Sequence, residues 1–393
     1  MPVWGLSGRG RLRRQLFRIP GTVLVSGLDA VPRGAAVLLL RGDFLYDMRV
    51  LKALVESDRD VVLVSAHARR PVAIRRREGA AEMPIGLLRD DAPAKMDQGQ
   101  TQTPRELAEG FDKRLRKNEI PWVYPIRPDN QRPLEQELFD GAYKGVTDLV
   151  TRWLWPRPAF RATQLCARLG LSPNQVTLCG LALAVLAGVA FWNAHFGLGL
   201  LFGWIMTFLD TVDGKLARVT VSYSRFGDLL DHGIDLIHPP LWYLAWGMGL
   251  AGNWHGVWPI SDTLWLMLAG YIGGRVCEGT FHFLVAPFSM FLWRPLDSFN
   301  RLVTARRNPN LLILTVTWLA GRPDLGLWFV AIWHCASAAF LAVRWTQARW
   351  ARTRTGPLRS WLETIDPDRD RDSLAVRTFT RRRSEFADSV HAR

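Results

Sequence analysis

The amino-acid sequence predicts a mainly α-helical protein, in which a six-helix polytopic membrane domain follows a small cytoplasmic α/β domain. Two observations support this fold class. The middle of the chain holds several apolar stretches long enough to cross about 30 Å of hydrocarbon, and the first third alternates short β-branched runs with polar helical patterns. Because 48% of the 393 residues are apolar and glycine follows no strict period, the composition excludes a disordered or collagen-like chain.

The four cysteines and the excess of basic residues narrow the class of protein further. The cysteines include no CxxC pair, which excludes a disulfide scaffold or a zinc ribbon and indicates a reducing or lipidic environment. The formal net charge is +14. Its basic residues cluster beside the apolar stretches, where they indicate a membrane surface rather than a nucleic acid as partner.

Residues 1–139 form the predicted α/β domain. Short apolar runs rich in β-branched residues predict strands over 22–26, 36–40 and 61–65. A helical pattern over 48–57 lies between the second and third runs, and residues 105–119 predict a solvent-facing helix.

Residues 140–345 form the predicted membrane domain. Its spans are expected near 177–195, 196–212, 229–250, 263–287, 310–321 and 325–343. The fifth stretch has an apolar core of only about a dozen residues, which by itself also fits a re-entrant or buried helix. Six spans are preferred because the placement of charge agrees with six.

Basic residues lie on one side of these spans. Those in the second and fourth connections are Lys215, Arg218, Arg225, Arg294, Arg301, Arg306 and Arg307. The connections on the opposite side contain only Arg322. The positive-inside rule therefore predicts a multi-pass protein of the cell (inner) membrane with both termini in the cytoplasm.

Two segments flank the spans. Residues 143–169 mix tryptophan and leucine with arginine, which predicts an interfacial helix on an anionic leaflet or, alternatively, a solvated connector. Residues 346–393 are rich in Arg, Asp, Ser and Thr, and we expect them to form a basic, disordered tail.

Four aspartates mark the most informative segment. Asp210 and Asp213 are three residues apart at the end of the second span, and Asp231 and Asp235 are four apart at the start of the third. Each pair therefore falls on one helix face, and antiparallel packing of the two helices brings the pairs together. Oxygen-only ligands suit hard divalent ions such as magnesium, manganese or calcium.

Small residues and one arginine accompany these carboxylates. Gly214, Ala217 and Gly227 leave room for a bulky ligand, and Arg218 offers a positive fork for a phosphate. This pattern predicts a site for a metal-bound pyrophosphate, with one carboxylate left to deprotonate a nucleophile. The alternative is an ion or proton path, or carboxylates that pair with Lys215 and Arg225.

The spacing D-x2-D-G-x2-A-R-x8-G-x3-D-x3-D resembles the signature of the CDP-alcohol phosphotransferase (CDP-alcohol phosphatidyltransferase) family. All eight fixed positions are present: Asp210, Asp213, Gly214, Ala217, Arg218, Gly227, Asp231 and Asp235. The resemblance implies transfer of a phospho-alcohol group from a CDP-alcohol to an acceptor hydroxyl, with release of CMP, in phospholipid or polyol-phosphodiester biosynthesis. It implies two divalent ions, Mg2+ or Mn2+, as cofactors.

The resemblance also implies a role for each motif residue. The metal ligands would be Asp210, Asp213 and Asp231, with Asp235 as general base and further metal contact. The cytidine pocket would be lined by Gly214, Ala217 and Gly227, with Arg218 on a phosphate. In the SPNQVT segment, Asn174 and Thr177 would help to hold the nucleotide, although this segment also fits a helix N-cap followed by proline.

The implied partners are a CDP-alcohol donor, an alcohol or polyol-phosphate acceptor and the lipid bilayer. Members of the family often form homodimers. The candidate acceptor contacts are His232, His238, Arg275, Glu278, Arg306, Arg307 and Asn308. For Arg275 and Glu278, three residues apart in the fourth span, mutual neutralisation is the alternative. The acceptor itself stays open.

The N-terminal segment VLLLRGDFLYD, with Asp43 after a strand, is similar to the Gly-Asp segment of nucleotidyltransferases. Such domains are fused to this transferase in inositol-phosphate cytidylyltransferase/phosphotransferase proteins. Those enzymes open with a strand and a glycine-rich loop that holds CTP. Here only GLSGRGRLRR follows the first four residues, with no strand before it. This departure predicts a degenerate domain or an ordinary α/β domain. The alternative functions are a bifunctional enzyme, a carboxylate-based membrane transporter and a catalytically silent scaffold.

Overall fold

The protein is described from a computed structural model that covers residues 1–65, 70–77, 84–89, 101–223 and 225–381. For residues 225, 226 and 228–232 the helical backbone is described and the side chains are not. The chain is mainly helical, with a small α/β region before the long helices. This architecture confirms the coarse fold class that the sequence predicts.

The described part of the α/β region combines short helices with short strands. The helices are α1 (Gly8–Leu16), α2 (Met48–Glu56), α3 (Pro104–Leu107) and α4 (Gln131–Gly141). The strands are β1 (Val37–Leu40), β2 (Phe44–Tyr46), β3 (Val61–Val64), β4 (Pro71–Arg76), β5 (Thr101–Gln102), β6 (Phe111–Asp112), β7 (Lys117–Asn118) and β8 (Val123–Pro125).

The main sheet has the strand order β1, β4, β3, β5. Strand β4 is antiparallel to β1 and β3, whereas β3 and β5 are parallel. Antiparallel pairs also join β2 to β8 and β6 to β7. Helix α2 buries Val50, Leu51 and Leu54 in the core of this region, because these positions share one helix face.

The sequence predicts part of this region correctly. Two of the expected strands and the helix over 48–57 correspond to β1, β3 and α2. The expected strand over 22–26 is wrong, because these residues, which lie within the described part of the chain, form no strand and residues 23–26 are exposed. The expected helix over 105–119 is wrong, because α3 ends at Leu107 and the β6–β7 hairpin follows.

Long helices make up the rest of the described chain. After a π-helical turn at Val150–Leu154 they are α5 (Pro156–Arg168), α6 (Pro173–Trp192), α7 (Phe196–Val219), α8 (Arg225–Leu250), α9 (Ile260–Thr280), α10 (Pro295–Val303), α11 (Arg307–Leu319) and α12 (Pro323–Thr355).

Helices α6 to α9, α11 and α12 lie at the six predicted spans. Within the described residues, three helices, α6, α7 and α12, are long and apolar enough to cross a membrane. The full count of six spans stays a prediction. Helix α11 has only 13 residues, which agrees with the short fifth stretch of the sequence.

Close contacts fix the arrangement of these helices. The Trp242 indole of α8 donates a hydrogen bond of 2.7 Å to the Ala184 carbonyl of α6. Gly270 of α9 faces the α12 backbone so closely that a Cβ would lie 2.7 Å from the backbone nitrogen of Cys335. Glycine is therefore required there, as at many close helix contacts in membranes.

The segment after residue 345 is folded up to Arg381, in contrast to the disordered tail that the sequence predicts. Helix α12 continues to Thr355, and α13 (Trp361–Thr364) and α14 (Leu374–Phe379) follow. Leu362 and Phe379 are buried in a core that also contains Phe281 and Phe291. These apolar residues are widely spaced among charged ones, so composition alone concealed their burial.

A buried ion pair joins α10 to α12. The Arg344 guanidinium donates hydrogen bonds of 2.5 Å and 2.9 Å to the two carboxylate oxygens of Asp297, and both side chains are nearly inaccessible to solvent. The pair therefore tethers the C-terminal half of α12 to the connection between α9 and α11.

We expect Asp297→Ala to destabilise the protein by about 3–5 kcal/mol, because it leaves a guanidinium buried without its counter-charge. Thermal unfolding of the purified protein in detergent should show a clearly lower apparent Tm. The control is Glu56→Ala, since Glu56 and Lys52 form an exposed pair at 3.6 Å worth only about 0–1 kcal/mol. Equal apparent Tm values for the two variants would contradict this assignment.

Candidate active site

The C-terminal half of α7 and the first turns of α8 bring the aspartate motif together. Asp210 and Asp213 lie on α7, and Asp235 lies on α8. The connection between the helices is short, because α7 ends at Val219 and α8 begins at Arg225. The antiparallel packing that the spacing of the motif predicts stays a prediction.

Arg307 joins the two halves of the motif. Its Nη2 lies 2.6 Å from Asp210 Oδ2, and its Nη1 lies 2.6 Å from Asp235 Oδ1. The guanidinium therefore bridges carboxylates from α7 and α8 from its place at the first residue of α11. The side chains of Arg307 and Asp210 are 14% and 23% exposed, whereas that of Asp235 is 45% exposed. Asp235 is thus the more accessible of the two carboxylates.

Asp213 is held by α6. Its side chain accepts a hydrogen bond of 2.6 Å from the Thr177 hydroxyl, and both residues are buried. Thr177 lies in the first turns of α6, where Ser172 forms a capping box with Gln175. The N-cap interpretation of this segment is therefore confirmed. The hydrogen bond to Asp213 also places Thr177 at the site.

Arg218 and Lys215 face the end of α4. Both side chains donate to the Ala142 carbonyl at 3.3 Å, and the Lys215 ammonium lies 3.5 Å from the centre of the Tyr143 ring. Lys215 thus contacts the end of α4, and Asp210 pairs with Arg307 instead of with Lys215. The Arg218 guanidinium passes over Gly214, where a Cβ would lie 3.3 Å from its Nη1.

The remaining motif positions are placed only in part. Ala217 lies one turn before the end of α7, and Gly227 lies in the first turn of α8. The side chains of Asp231 and His232 lie outside the described residues, as does that of Arg225. Asn174 lies at the start of α6 and is partly exposed. Within the described residues there is no group of three or more His, Cys, Asp or Glu side chains that could hold a metal.

The alternative of mutual neutralisation between Arg275 and Glu278 inside α9 is wrong. Glu278 forms a short ion pair with Arg306 at the start of α11, whereas the Arg275 guanidinium lies 5.2 Å from the centre of the Tyr271 ring. The spacing of residues along α9 could not indicate Arg306 as the partner of Glu278, because Arg306 lies directly before α11. Electrostatic pairing thus joins α11 to both α8 and α9.

Asn308 belongs to a polar cluster next to Arg307. Its amide donates hydrogen bonds of 2.9 Å to Asp148 Oδ1 and 3.2 Å to the Thr151 hydroxyl. Burial by itself would raise the pKa of Asp148, but Arg301 and the hydrogen bonds from Thr151 and Asn308 hold this pKa below its usual value. Asp148 therefore stays ionised and fixes the start of α11.

His238 lies one turn beyond Asp235 on α8. Its Nδ1 lies 2.6 Å from the Ile234 carbonyl, and its ring contacts the edge of Trp242 with centroids 4.7 Å apart. These contacts place His238 in the helix core beside the site.

Residues 171–288 match the family model described as CDP-alcohol phosphatidyltransferase, and the matched range contains all eight motif positions. This segment of the chain is therefore similar to that family, and the match covers less than half of the chain. The motif lies on α7 and α8, so the family match covers the two helices that carry Asp210 and Asp235.

Named proteins share parts of this region. The chain is 34% identical over 96 residues to the archaetidylinositol phosphate synthase of Pyrococcus horikoshii, covering 24% of this chain and 50% of that protein. It is 35% identical over 132 residues to cholinephosphotransferase 1 of Gallus gallus, covering 30% and 37%. It is 25% identical over 147 residues to the bifunctional IPC transferase and DIPP synthase of Thermococcus kodakarensis, covering 34% of each. The chain thus spans half or less of the length of these relatives.

We expect Arg307→Met to destabilise the protein in EDTA by about 2–4 kcal/mol, because it leaves two neighbouring carboxylates without a shared cation. The range lies below that of a fully buried pair because Asp235 is 45% exposed. Apparent Tm in detergent measures the change.

The double variant Arg307→Met/Asp210→Asn should recover much of this loss, since one of the two repelling charges is gone. Arg369→Met is the control, because the Arg369 side chain is 88% exposed and lies 3.9 Å from Asp366. If Arg307→Met were as stable as this control, the bridging role of Arg307 would be wrong.

Proposed function

We propose that this protein transfers a phospho-alcohol group from a CDP-alcohol to an acceptor hydroxyl and releases CMP. The observation that carries the proposal is the convergence of Asp210 and Asp235 on the Arg307 guanidinium. These carboxylates come from opposite halves of the family motif, so the motif halves form one site. The family match over residues 171–288 supports the same chemistry.

The oxygen donors of the motif support divalent ions as cofactors. Asp210, Asp213, Asp231 and Asp235 would hold Mg2+ or Mn2+, which prefer carboxylate oxygens. The pair formed by Asp210 and Asp235 already accepts one cationic group in the structure, which is the electrostatic property that a metal site needs. When bound, the ions would neutralise charge on the pyrophosphate and on the departing CMP.

Asp235 is the proposed general base. It is the more accessible carboxylate of the bridged pair, so an acceptor hydroxyl can reach its oxygens. In the proposed reaction the acceptor oxygen forms a bond to the phosphorus that carries the alcohol. The bond from this phosphorus to the bridging oxygen breaks, CMP leaves, and the hydroxyl proton passes to Asp235.

The other motif residues would bind the donor. Gly214 and Ala217 on α7 and Gly227 on α8 would line the cytidine pocket, and Arg218 would bind a phosphate. Asn174 would approach the nucleotide from the start of α6. Thr177 has a second task, because its hydroxyl orients the Asp213 carboxylate.

The lipid bilayer is the proposed environment of the site. Helices α6, α7 and α12 are long and apolar enough to cross it, and Trp153 and Leu154 before α5 present exposed apolar surface. We propose six spans in the cell (inner) membrane, both termini in the cytoplasm and a homodimeric assembly. Lys215 and Arg218 at the end of α7 and Arg225 at the start of α8 support this orientation.

A bifunctional enzyme is the second candidate function. It is favoured by similarity to the relative from Thermococcus kodakarensis, whose name states two activities. Asp43, the candidate metal ligand of a nucleotidyltransferase domain, forms an ion pair of 2.6 Å with Arg41. Consumption of CTP by the full-length protein in the presence of an alcohol phosphate tests this activity.

The transferase reaction predicts CMP release by purified protein in detergent with magnesium or manganese. The substrates are CDP-diacylglycerol with inositol phosphate or glycerol phosphate, and CDP-choline with diacylglycerol. We expect Asp235→Asn to lower kcat about 100- to 10,000-fold, because it removes the base. EDTA should abolish CMP release.

Asp262→Asn is the control for this experiment, since Asp262 is exposed at the start of α9 and contacts Ser261. Metal-dependent ion flux without CMP release from any substrate pair would contradict the proposal and favour a transporter.

The hydrogen bond from Thr177 to Asp213 predicts a second, smaller effect. Thr177→Val preserves the shape of the side chain but removes the donor, so kcat should fall about 10- to 100-fold, as expected for a lost bond to a charged group. Thr177→Ser retains the hydroxyl and should keep most of the activity. Equal rates for the Val and Ser variants would show that the hydroxyl is not required.

A further inference from the structure

Three arginines of the N-terminal domain bind the connection between the two halves of the motif. They lie on α1 and just after it, at positions 11, 14 and 18, a spacing that places them on one side of a helix. All three donate hydrogen bonds to backbone carbonyls between residues 219 and 223. The N-terminal domain therefore contacts the site region through its own first helix.

The distances define these contacts. Arg11 Nη2 lies 2.7 Å from the Val219 carbonyl, and Arg14 Nη1 lies 2.8 Å from that of Thr220. Arg18 Nη2 lies 2.7 Å from the Tyr223 carbonyl and 3.3 Å from that of Val221. Each bond has a charged donor, so each is stronger than a neutral hydrogen bond.

The bound segment ends α7 in a strained conformation. The Ser222 amide donates to the Ala217 carbonyl at 2.9 Å and the Val221 amide to the Arg218 carbonyl at 3.3 Å, which is the pattern of a Schellman cap. Val221 has φ 51°, a left-handed value usually taken by glycine at this position. A β-branched residue there costs on the order of 1–3 kcal/mol, so surrounding contacts must maintain it.

The cap connects the arginines to the motif. Ala217 and Arg218 are motif residues, and their carbonyls accept the two cap hydrogen bonds. The segment that the arginines bind also sets how α7 turns toward α8, and hence how the Asp210 half meets the Asp235 half. A shift of this turn would move the two carboxylates relative to each other.

Electrostatics favour the same arrangement. Cations at the C-terminal end of α7 interact favourably with the helix dipole. Arg11 is buried; burial, and secondarily the neighbouring Arg14, lower its pKa to about 10, so it remains charged at neutral pH. The guanidiniums of Arg18 and Arg114 also lie 3.9 Å and 5.0 Å from the centre of the Tyr223 ring.

We propose that Arg11, Arg14 and Arg18 are positioning residues for the transferase. They hold the α7–α8 connection so that the two halves of the motif meet in the productive geometry. The N-terminal domain thus serves the membrane site whether or not it has chemistry of its own. This inference rests on the proposed function for its catalytic consequence, but the contact itself is measured independently.

The test compares full-length variants at the two more accessible arginines. Arg14→Gln/Arg18→Gln removes the charged donors and should lower kcat about 10- to 100-fold, because a small misplacement of reacting groups costs about this much. The KM for the CDP-alcohol should change less than about threefold. Arg14→Lys/Arg18→Lys keeps a cationic donor at each position and should restore most of the rate.

Hydrogen exchange gives a readout that does not depend on activity. Backbone amides of residues 219–223 should exchange faster in Arg14→Gln/Arg18→Gln than in the wild type, because the cap has lost its external support. The matched control is Arg13→Gln. Arg13 is an exposed arginine of the same helix, and within the described part of the chain its side chain makes no hydrogen bond to this segment. Both its exchange and its kcat should equal those of the wild type.

Each outcome decides the proposal. Unchanged exchange in the Gln double variant would overturn the contact, and unchanged kcat with faster exchange would overturn the positioning role. A loss of kcat that the Lys variant does not rescue, with a lower apparent Tm, would indicate a purely structural contact. Absence of CMP release from the wild type would instead refute the proposed function, while the exchange experiment would still test the contact.

Discussion

The repulsion between carboxylates in a region of low dielectric is the constraint on which the site depends. Asp210 and Asp235 can approach each other because the Arg307 guanidinium lies between them. That arginine comes from α11, so the charge balance of the α7–α8 pair depends on a third helix. Arg306, the preceding residue, pairs with Glu278 of α9. Two adjacent arginines thereby fix the start of α11 against three other helices, α7, α8 and α9.

The same oxygens that bind Arg307 are those proposed to hold divalent ions. The guanidinium and a metal ion would therefore compete for Asp210 and Asp235, since both satisfy the same negative charge. Asp213 differs, because a neutral donor, the Thr177 hydroxyl, orients it. A hydroxyl donor orients a carboxylate but brings no positive charge. The site thus combines one carboxylate that is oriented by a neutral donor with two that contact a guanidinium.

The sequence predicts well those features of the site that depend on residues close together in the chain. Helical spacing places Asp210 beside Asp213, and the Pro173 and Ser172 pattern correctly indicates the start of α6. The errors concern partners that come from distant segments. The ion pair of Glu278 could not be assigned from α9 alone, and the burial of Phe379 depends on helices about 80 residues earlier in the chain. Residues 105–119 have a helical composition, but the β6–β7 hairpin overrides it.

The N-terminal helix carries a signal that is present in the sequence but is not identified by motif comparison. The segment GLSGRGRLRR lacks the pattern of a CTP loop, and its arginines instead have the spacing of a helix face and donate hydrogen bonds to the end of α7. A left-handed Val221 and a ring of charged donors around it are costly to maintain unless the geometry they fix is used. The eight-position motif supplies that use, because its central x8 segment contains the strained cap. The proposed positioning role therefore concerns the conformation of these unspecified positions, in addition to the identity of the specified ones.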